Sequence, residues 1–280
     1  MSNPSLPSNN AGRNQAIERA AQALRMRQFG EAEHLATDIL KSSRTDSAAM
    51  SILAHALLAQ NRGAEAIAPL EKAARRGGDA AIDTLLGAAL GGAGRRVEAI
   101  EHLRKTTLRQ PPFAPAFQEL AGQLAKAGHL DDAVAVIESA IALMPDMIEL
   151  QLDLARLHLQ RNDRGKARVV LLQARDAAPV RDVLTALARV LLLDGDYAAA
   201  ADTFRHALAL HPDDALTRAD LAACLLEMGQ RDAGEASLRV AARGRPQMFG
   251  RTVYAMAMSS HGRFFFRPSK AAKFLNEKPA

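Results

Sequence analysis

Tryptophan is absent from this chain of 280 residues, cysteine occurs once, and there are only nine phenylalanines and two tyrosines. Each shortage excludes something. A single cysteine, Cys224, closes no intramolecular disulfide, and no Cys/His cluster has zinc-ligand spacing, so neither staple is available to the fold. The residues that favour strands are too few for a sheet-built core. No apolar run reaches the roughly 18 residues of a membrane-crossing helix. The N-terminus, MSNPSLPSNNAGRN, is polar and lacks the apolar stretch of a signal peptide. The expectation is a cytoplasmic protein, neither secreted nor membrane-spanning.

Signatures of catalysis are also missing. There is no HExxH, no GxSxG and no obvious carboxylate pair, and the eight histidines are scattered. GAALGGAGRR (Gly87 to Arg96) is rich in glycine, but it lacks the Lys-Ser/Thr that ends a phosphate loop and the spacing of a dinucleotide turn. Gly91 and Gly92 cost roughly 1 kcal/mol each in a helix relative to alanine, which makes this stretch a candidate soft joint. The reading is a non-enzyme without cofactor or metal.

What the chain does contain is alanine and leucine, the bulk of its 48% apolar content, a mixture suited to closely packed helices. Its length exceeds what one hydrophobic core usually serves. Internal repetition supplies the organisation. In AFQELAGQLAKAGHLDDAVAVIESAIALMPD, Phe117, Leu120, Ala121 and Leu124 mark one helical stripe. After Gly128 a second stripe runs Ala133, Val136, Ile137, Ala140 and Met144, and Pro145 closes the unit. The plan recurs as units 13–46, 47–79, 80–113, 114–147, 148–180, 181–214 and 215–248, with 1–12 expected to be disordered and 249–280 left as a C-terminal segment.

Three columns of this self-alignment have physical meaning. Position 8 reads Ala20, Ala54, Gly87, Ala121, Ala155, Ala188, Ala222, and position 20 reads Ala32, Ala66, Ala99, Ala133, Ala167, Ala200, Gly234. Small residues belong where paired helices touch, because a larger side chain there costs about 1–3 kcal/mol in overpacking. Position 15 reads Arg27, Asn61, Gly94, Gly128, Asn162, Gly195, Gly229; all but Arg27 readily take the left-handed conformation that ends a helix. Pro111, Pro145, Pro179, Pro212 and Pro246 then stop the second helix in five units.

These residues resemble the tetratricopeptide repeat (TPR) family over residues 13–248. The family's tryptophan at position 4 is absent, and leucine mostly replaces its tyrosine at position 11, as in Leu57, Leu90, Leu124, Leu191 and Leu225. His158 interrupts that column and reads as a core residue. The first unit is atypical, with Arg19 at position 7 and Arg44 at position 32. The resemblance implies an all-α fold, a right-handed α-solenoid whose first helices line a concave groove that binds a peptide or protein segment. Carried over by position, that groove comprises Ser51, His55 and Leu58; Gln118, Gly122 and Lys126; Leu152, Arg156 and Leu159; Thr185, Arg189, Leu192 and Leu193; and Ala223 and Leu226. The lining is apolar with scattered positive charge, which predicts a partner that is apolar with some acidic residues. Arg156 and Arg189 read either as binders of carboxylate or backbone carbonyl or as partners of nearby acids such as Asp153 and Asp182. The Lys/Asn set by which chaperone-binding members of the family grip a terminal carboxylate is missing.

Other polar residues have plain readings. Asp131-Asp132 and Asp213-Asp214 stand at helix starts, where acids cap free amides, and Cys224 reads as a small buried hydrophobe.

The C-terminal segment is different in kind. Residues 249–280 carry Arg251, Arg263, Arg267, Lys270, Lys273 and Lys278 against Glu277 alone, which equals the net charge of +5 for the whole chain. The positive charge is therefore local to one end and argues against a nucleic-acid groove along the repeats. Phe264, Phe265 and Phe266 read as an aromatic lid over the last repeat, with SKAAKFL forming a short helix behind Pro268 and Ser269. The alternative is that these residues, with Arg263, Arg267, Lys270 and Lys273, contact an anionic membrane surface or an acidic partner. Three functional classes follow: a non-enzymatic scaffold or adaptor; a membrane-surface accessory to envelope, secretion or polysaccharide machinery, peripheral to the inner face of the membrane; and a regulator that senses a peptide or metabolite. The Ala/Arg-rich style has a bacterial look, and the oligomeric state is not legible.

Overall fold

A computed structural model of the chain describes residues 8–77, 79–265 and 267–276, with side chains from residue 12 onward. Among these residues there are sixteen α-helices, one 3₁₀ turn and no strand. The protein is an all-α array of consecutive helix pairs. Two compact units divide it, Met1–Leu150 and Gln151–Ala280. The first holds α1 (Ser8–Arg25), α2 (Phe29–Ser42), α3 (Ser47–Ala59), α4 (Gly63–Arg75), α5 (Ala80–Gly92), α6 (Arg96–Thr107), α7 (Ala114–Lys126) and α8 (Leu130–Leu143). The boundary falls inside α9 (Ile148–Gln160). The second unit continues through α10 (Arg164–Ala177), α11 (Arg181–Leu193), α12 (Tyr197–Leu210), α13 (Ala215–Glu227) and α14 (Arg231–Ala242), then α15 (Phe249–Met258) and α16 (Pro268–Asn276).

The helix α1 begins at Ser8, inside the stretch expected to be disordered, and residues 1–7 lie outside the described residues. Sequence explains the extension: after Pro7 no further proline falls within the helix, Gly12 is a single tolerated glycine, and Ser8, Asn9 and Asn10 are types that favour a helix start.

The turns inside the pairs are built alike. Arg27, Asn61, Gly94, Gly128, Asn162, Gly195 and Gly229 all have positive φ, between 58° and 86°. At each, the amide one residue further on donates to the carbonyl five residues back from it: Arg62 to Leu57, Arg95 to Leu90, His129 to Leu124, Asp163 to His158, Asp196 to Leu191, Gln230 to Leu225 and Gln28 to Ala23, all at 2.8–2.9 Å. This is the six-to-one bond of a Schellman motif, which satisfies a carbonyl at the helix end. Arg27 takes φ 59° without being glycine or asparagine, so its turn carries steric cost that its neighbours avoid.

Close packing between helices follows the small-residue columns. All seven residues of position 8 and all seven of position 20 are buried. A Cβ added at Gly87 would lie 2.5 Å from the Leu103 side chain, and one at Gly234 would lie 2.7 Å from Leu226. At these two places only glycine fits the neighbour already present. Gly91 has a related role, since an added Cβ would come within 2.3 Å of the Gln123 amide. It is therefore a site of close approach between α5 and α7, a packing reason for a glycine first read as a soft joint.

Apolar contact gathers in clusters along each unit. In the first, Ala20, Ala32, Ala36 and Ile52 form one cluster, and Met50, Leu70, Ile82, Leu86 and Leu90 another. In the second, Leu171, Leu187, Leu191, Phe204 and Leu225 make the larger core. Acidic caps fix the helix starts: Asp46, Asp79, Asp163, Asp196 and Asp214 each accept a backbone N–H of the following turn. Asp131 and Asp132 occupy the first turn of α8, where their charge meets the positive end of the dipole.

Candidate partner-binding face

The first helices of each pair carry the residues assigned to the groove, and each unit presents its own set. In the N-terminal unit His55 is exposed and its Nδ1 lies 2.8 Å from the Ser51 carbonyl, an i to i+4 bond along α3. Leu58 is half-buried against the core cluster. Gln118 and Gly122 are half-exposed on α7, open space surrounds the Gly122 Cα, and Lys126 is exposed in the last turn. The α3 and α7 sets are separated by α5, which packs on both helices.

The C-terminal unit gathers more. Leu152, Leu159 and Leu192 are partly buried around one cluster, while Leu193 is 58% exposed. Arg156 and Arg189 rise from this apolar surface, each about half exposed. Arg156 donates to Asp153 at 2.7 Å. Arg189 reaches a different acid from the one expected: its Nε donates to Asp220 on α13 at 2.9 Å, while Asp182 is engaged by Arg181. The sequence distance of 31 residues hid this pairing, since an i to i+3 or i+4 search does not span adjacent repeats. Arg251 donates to the other oxygen of the same Asp220 carboxylate.

Two groove assignments fail on burial. Thr185 is only 8% exposed and its hydroxyl donates to the Arg181 carbonyl at 2.8 Å, so it serves α11 itself. Leu226 has no exposed surface. It turns into the space left by Gly234, where the other six units have alanine, and packs with Leu238 and Met256. Ala223 remains half-exposed beside it.

The C-terminal segment folds onto α13 and α14. There Phe274 and Leu275 of α16 are buried with Met248, Leu238 and Ala241. Phe265 packs on Phe274 with ring centroids 5.3 Å apart, and the guanidinium groups of Arg239 and Arg263 sit 4.1 and 4.8 Å from the centre of the Phe274 ring. Of the triple-phenylalanine run, Phe265 makes this ring contact, Phe264 is 66% exposed, and Phe266 lies outside the described residues. Polar bonds tie down the connecting loop. Ser260 donates to Glu227 through its amide at 3.1 Å and its hydroxyl at 2.6 Å, and His261 Nδ1 lies 3.1 Å from the Leu226 carbonyl.

The positive charge of this segment is correspondingly divided. Arg251 is spent on Asp220, and Arg263 donates to the buried Glu235 at 3.1 Å, an acid that Arg231 also engages at 3.1 Å. Arg267, Lys270 and Lys273 are exposed. Neither buried acid stood out in the sequence, because each falls at an ordinary helical position and its partners come from elsewhere.

The remaining titratable groups that are buried stand apart from one another. Cys224 is fully buried, and burial pushes its thiol up to about 12, with Asp220 adding to the shift, so no nucleophilic thiolate forms at neutral pH. His158 is 3% exposed, as a core residue should be. Asp83, also 3% exposed, has its carboxyl pushed up by burial, against the pull of Arg109 and His102 beside it. Among the described residues no cluster of three or more metal-ligating side chains exists, and no described helix is long and apolar enough to cross a membrane.

Comparison with known proteins adds the following. Models described as tetratricopeptide repeat match residues 17–81, 124–190 and 191–258. No curated protein matches. Among solved structures, a tetratricopeptide repeat protein from Parabacteroides merdae superimposes with a TM-score of 0.57 at 12% identity, over 87% of this chain and 98% of that one. PilF from Pseudomonas aeruginosa gives 0.53 at 18% identity, over 72% of this chain and 93% of that one. The Cut9–Hcn1 hetero-tetramer of the APC/C gives 0.53 at 17% identity, over 96% and 57%. At these identities the likeness concerns the fold alone.

Proposed function

Because the chain belongs to the tetratricopeptide-repeat family, a fold that serves generally as a scaffold for protein interactions, we propose that it is a non-enzymatic cytoplasmic adaptor which holds a partner segment against the first-helix face of its C-terminal unit. One observation carries this reading: Leu152, Leu159, Leu192 and Leu193 form a partly exposed apolar surface on rigid helices, with Arg156 and Arg189 standing out of it. Apolar area provides affinity, and the two arginines orient what binds. Nε of Arg189 is held by Asp220, which leaves the outer nitrogens of a positioned guanidinium for a carboxylate or backbone carbonyl on the partner. The partner segment is thus apolar with some acidic residues.

The test uses Leu193→Asp and Arg156→Glu, both at exposed positions that leave the core intact. Crosslinking of the purified chain in extract, followed by mass spectrometry, should recover a specific partner with the natural sequence and lose it with the double variant. Recovery of the same partner at the same affinity overturns the reading.

A second reading rests on Tyr254 and Met258, one helical turn apart on α15 and each about two-thirds exposed, together with Phe264 and the exposed Arg267, Lys270 and Lys273. This set suits an anionic membrane surface. Sedimentation of the chain with anionic vesicles, lost at high salt, would favour it.

A further inference from the structure

Away from the first-helix face, the N-terminal unit contains a cleft of about 970 Å³ between α2, α3, α4 and the start of α5. Its floor is apolar. Leu40, Met50, Leu53, Pro69 and Ile82 line it, with Met50 and Ile82 buried in the core cluster beneath and Leu40 and Leu53 packed against that cluster. Such a volume sits at the upper end of the range for small-molecule sites.

Charge in the cleft is confined to one end. Lys41 belongs to the last turn of α2 and Arg44 follows that helix, while Lys72 lies in the last turn of α4 and Arg76 caps it. One turn back along the same two helices the lining is Thr37, Ala68 and Pro69. Cations near a helix C-terminus complement its dipole, and Arg75 does so while pairing with Glu71 at 3.5 Å. Arg44, Lys72 and Arg76 differ. They are exposed and have no described hydrogen bond or ion pair, in a protein where many other arginines are engaged. The acids at the rim are already committed: Asp46 to Arg13 at 2.6 Å and to the Ala49 amide at 3.0 Å, Asp79 to the Ile82 amide at 2.9 Å.

We propose that this cleft binds a small anionic amphiphile, its carboxylate or phosphate held by Arg44, Lys72 and Arg76 and its apolar body lying on Leu40, Met50, Leu53 and Ile82. Charge at one end only, over an apolar floor that runs on past it to Leu53, Ala68 and Pro69, selects a head-and-tail molecule. An acidic partner helix would present charge at every turn and would meet cations along the whole cleft. The occupant is therefore a free amphiphile.

Dodecyl phosphate, kept below its micelle concentration, is the probe, titrated calorimetrically into the full chain. The expected result is one saturable site per chain that inorganic phosphate does not fill at the same concentration. Arg44→Glu with Arg76→Glu should weaken binding at least about tenfold by replacing attraction with repulsion at the head. Ala68→Trp should do the same by filling the apolar end. All these positions are exposed, so circular dichroism should stay unchanged. Equal binding by both variants overturns the proposal, as does equal affinity for dodecanol or preferential binding to anionic vesicles over the monomeric probe.

Discussion

At the N-terminal end α1 keeps Arg13, Glu18, Arg19 and Gln22 in solvent and buries Ala20 and Ala23, with Ile17 and Leu24 only partly covered. The C-terminal pair instead places Leu226 and Leu238 on a surface that the 3₁₀ turn, α15 and α16 cover with Met248, Met256, Phe274 and Leu275. These are the first and last helix pairs among the described residues. The comparison teaches that a helix face made of short side chains and charge stands in solvent, whereas one that keeps the bulk of an interior repeat is overlaid. It also accounts for the aromatic content: six of the eleven phenylalanine and tyrosine residues fall after residue 248, where area has to be covered quickly by a short stretch of chain.

The sharpest way to break this contrast is truncation at each end. Phe274→Ala removes a ring buried among Leu238, Met256 and two guanidinium groups and should cost about 3–4 kcal/mol, whereas Ile17→Ala at the half-open end should cost about 1 kcal/mol. Urea melts of the two variants measure both. Equal losses would mean that the two ends are alike and the overlay is ornamental.

A smaller effect separates helix starts inside the C-terminal unit from interior packing. Asp214 caps α13, accepting the amides of Leu216 and Thr217 and the Thr217 hydroxyl. Burial raises its carboxyl, but the bonds from Thr217 and Leu216 and the nearby Arg181 outweigh that and hold it below the ordinary 3.8. A depressed folded value means stability that is present above the unfolded pKa and lost as pH falls through the folded one. Asp214→Ala should therefore lower stability by about 1 kcal/mol at pH 7. The gap between variant and natural chain should close as the pH drops below 3.8. Thermal melts across that range check it, and a gap independent of pH would show that the cap is not electrostatic.

The smallest effect should have the opposite sign. Arg27 alone among the seven inner turns occupies the left-handed region without being glycine or asparagine. Arg27→Gly should stabilise the N-terminal end by about 0.5–1 kcal/mol. A loss of stability would reveal a contact of the arginine that outweighs its strained backbone.

The helices and their turns were legible because both are encoded locally: the stripes of Leu and Ala, and a residue tolerant of positive φ at position 15, act within a few residues. Start positions were less so at the N-terminus, where no proline stands between Pro7 and Arg25 and the one glycine, Gly12, falls inside α1. The binding face was legible only as a pattern of positions. Leu226 left that face because of Gly234 opposite it, a pairing that shows only when the two helices are in contact. Arg189 was read beside Asp182 and is held by Asp220, and the amphiphile cleft drew no notice because Leu40, Arg44, Pro69 and Arg76 come from two different pairs. Contacts between repeats, in short, are written in residues about thirty apart, and no local pattern announces them.

Each inner turn closes its hydrogen-bonded ring over six residues and asks nothing of the pair before or after it. During synthesis, such a bend needs only the two helices that flank it, so a pair can close once its own stretch has emerged and before the next has followed. The order of assembly can then follow the order of translation.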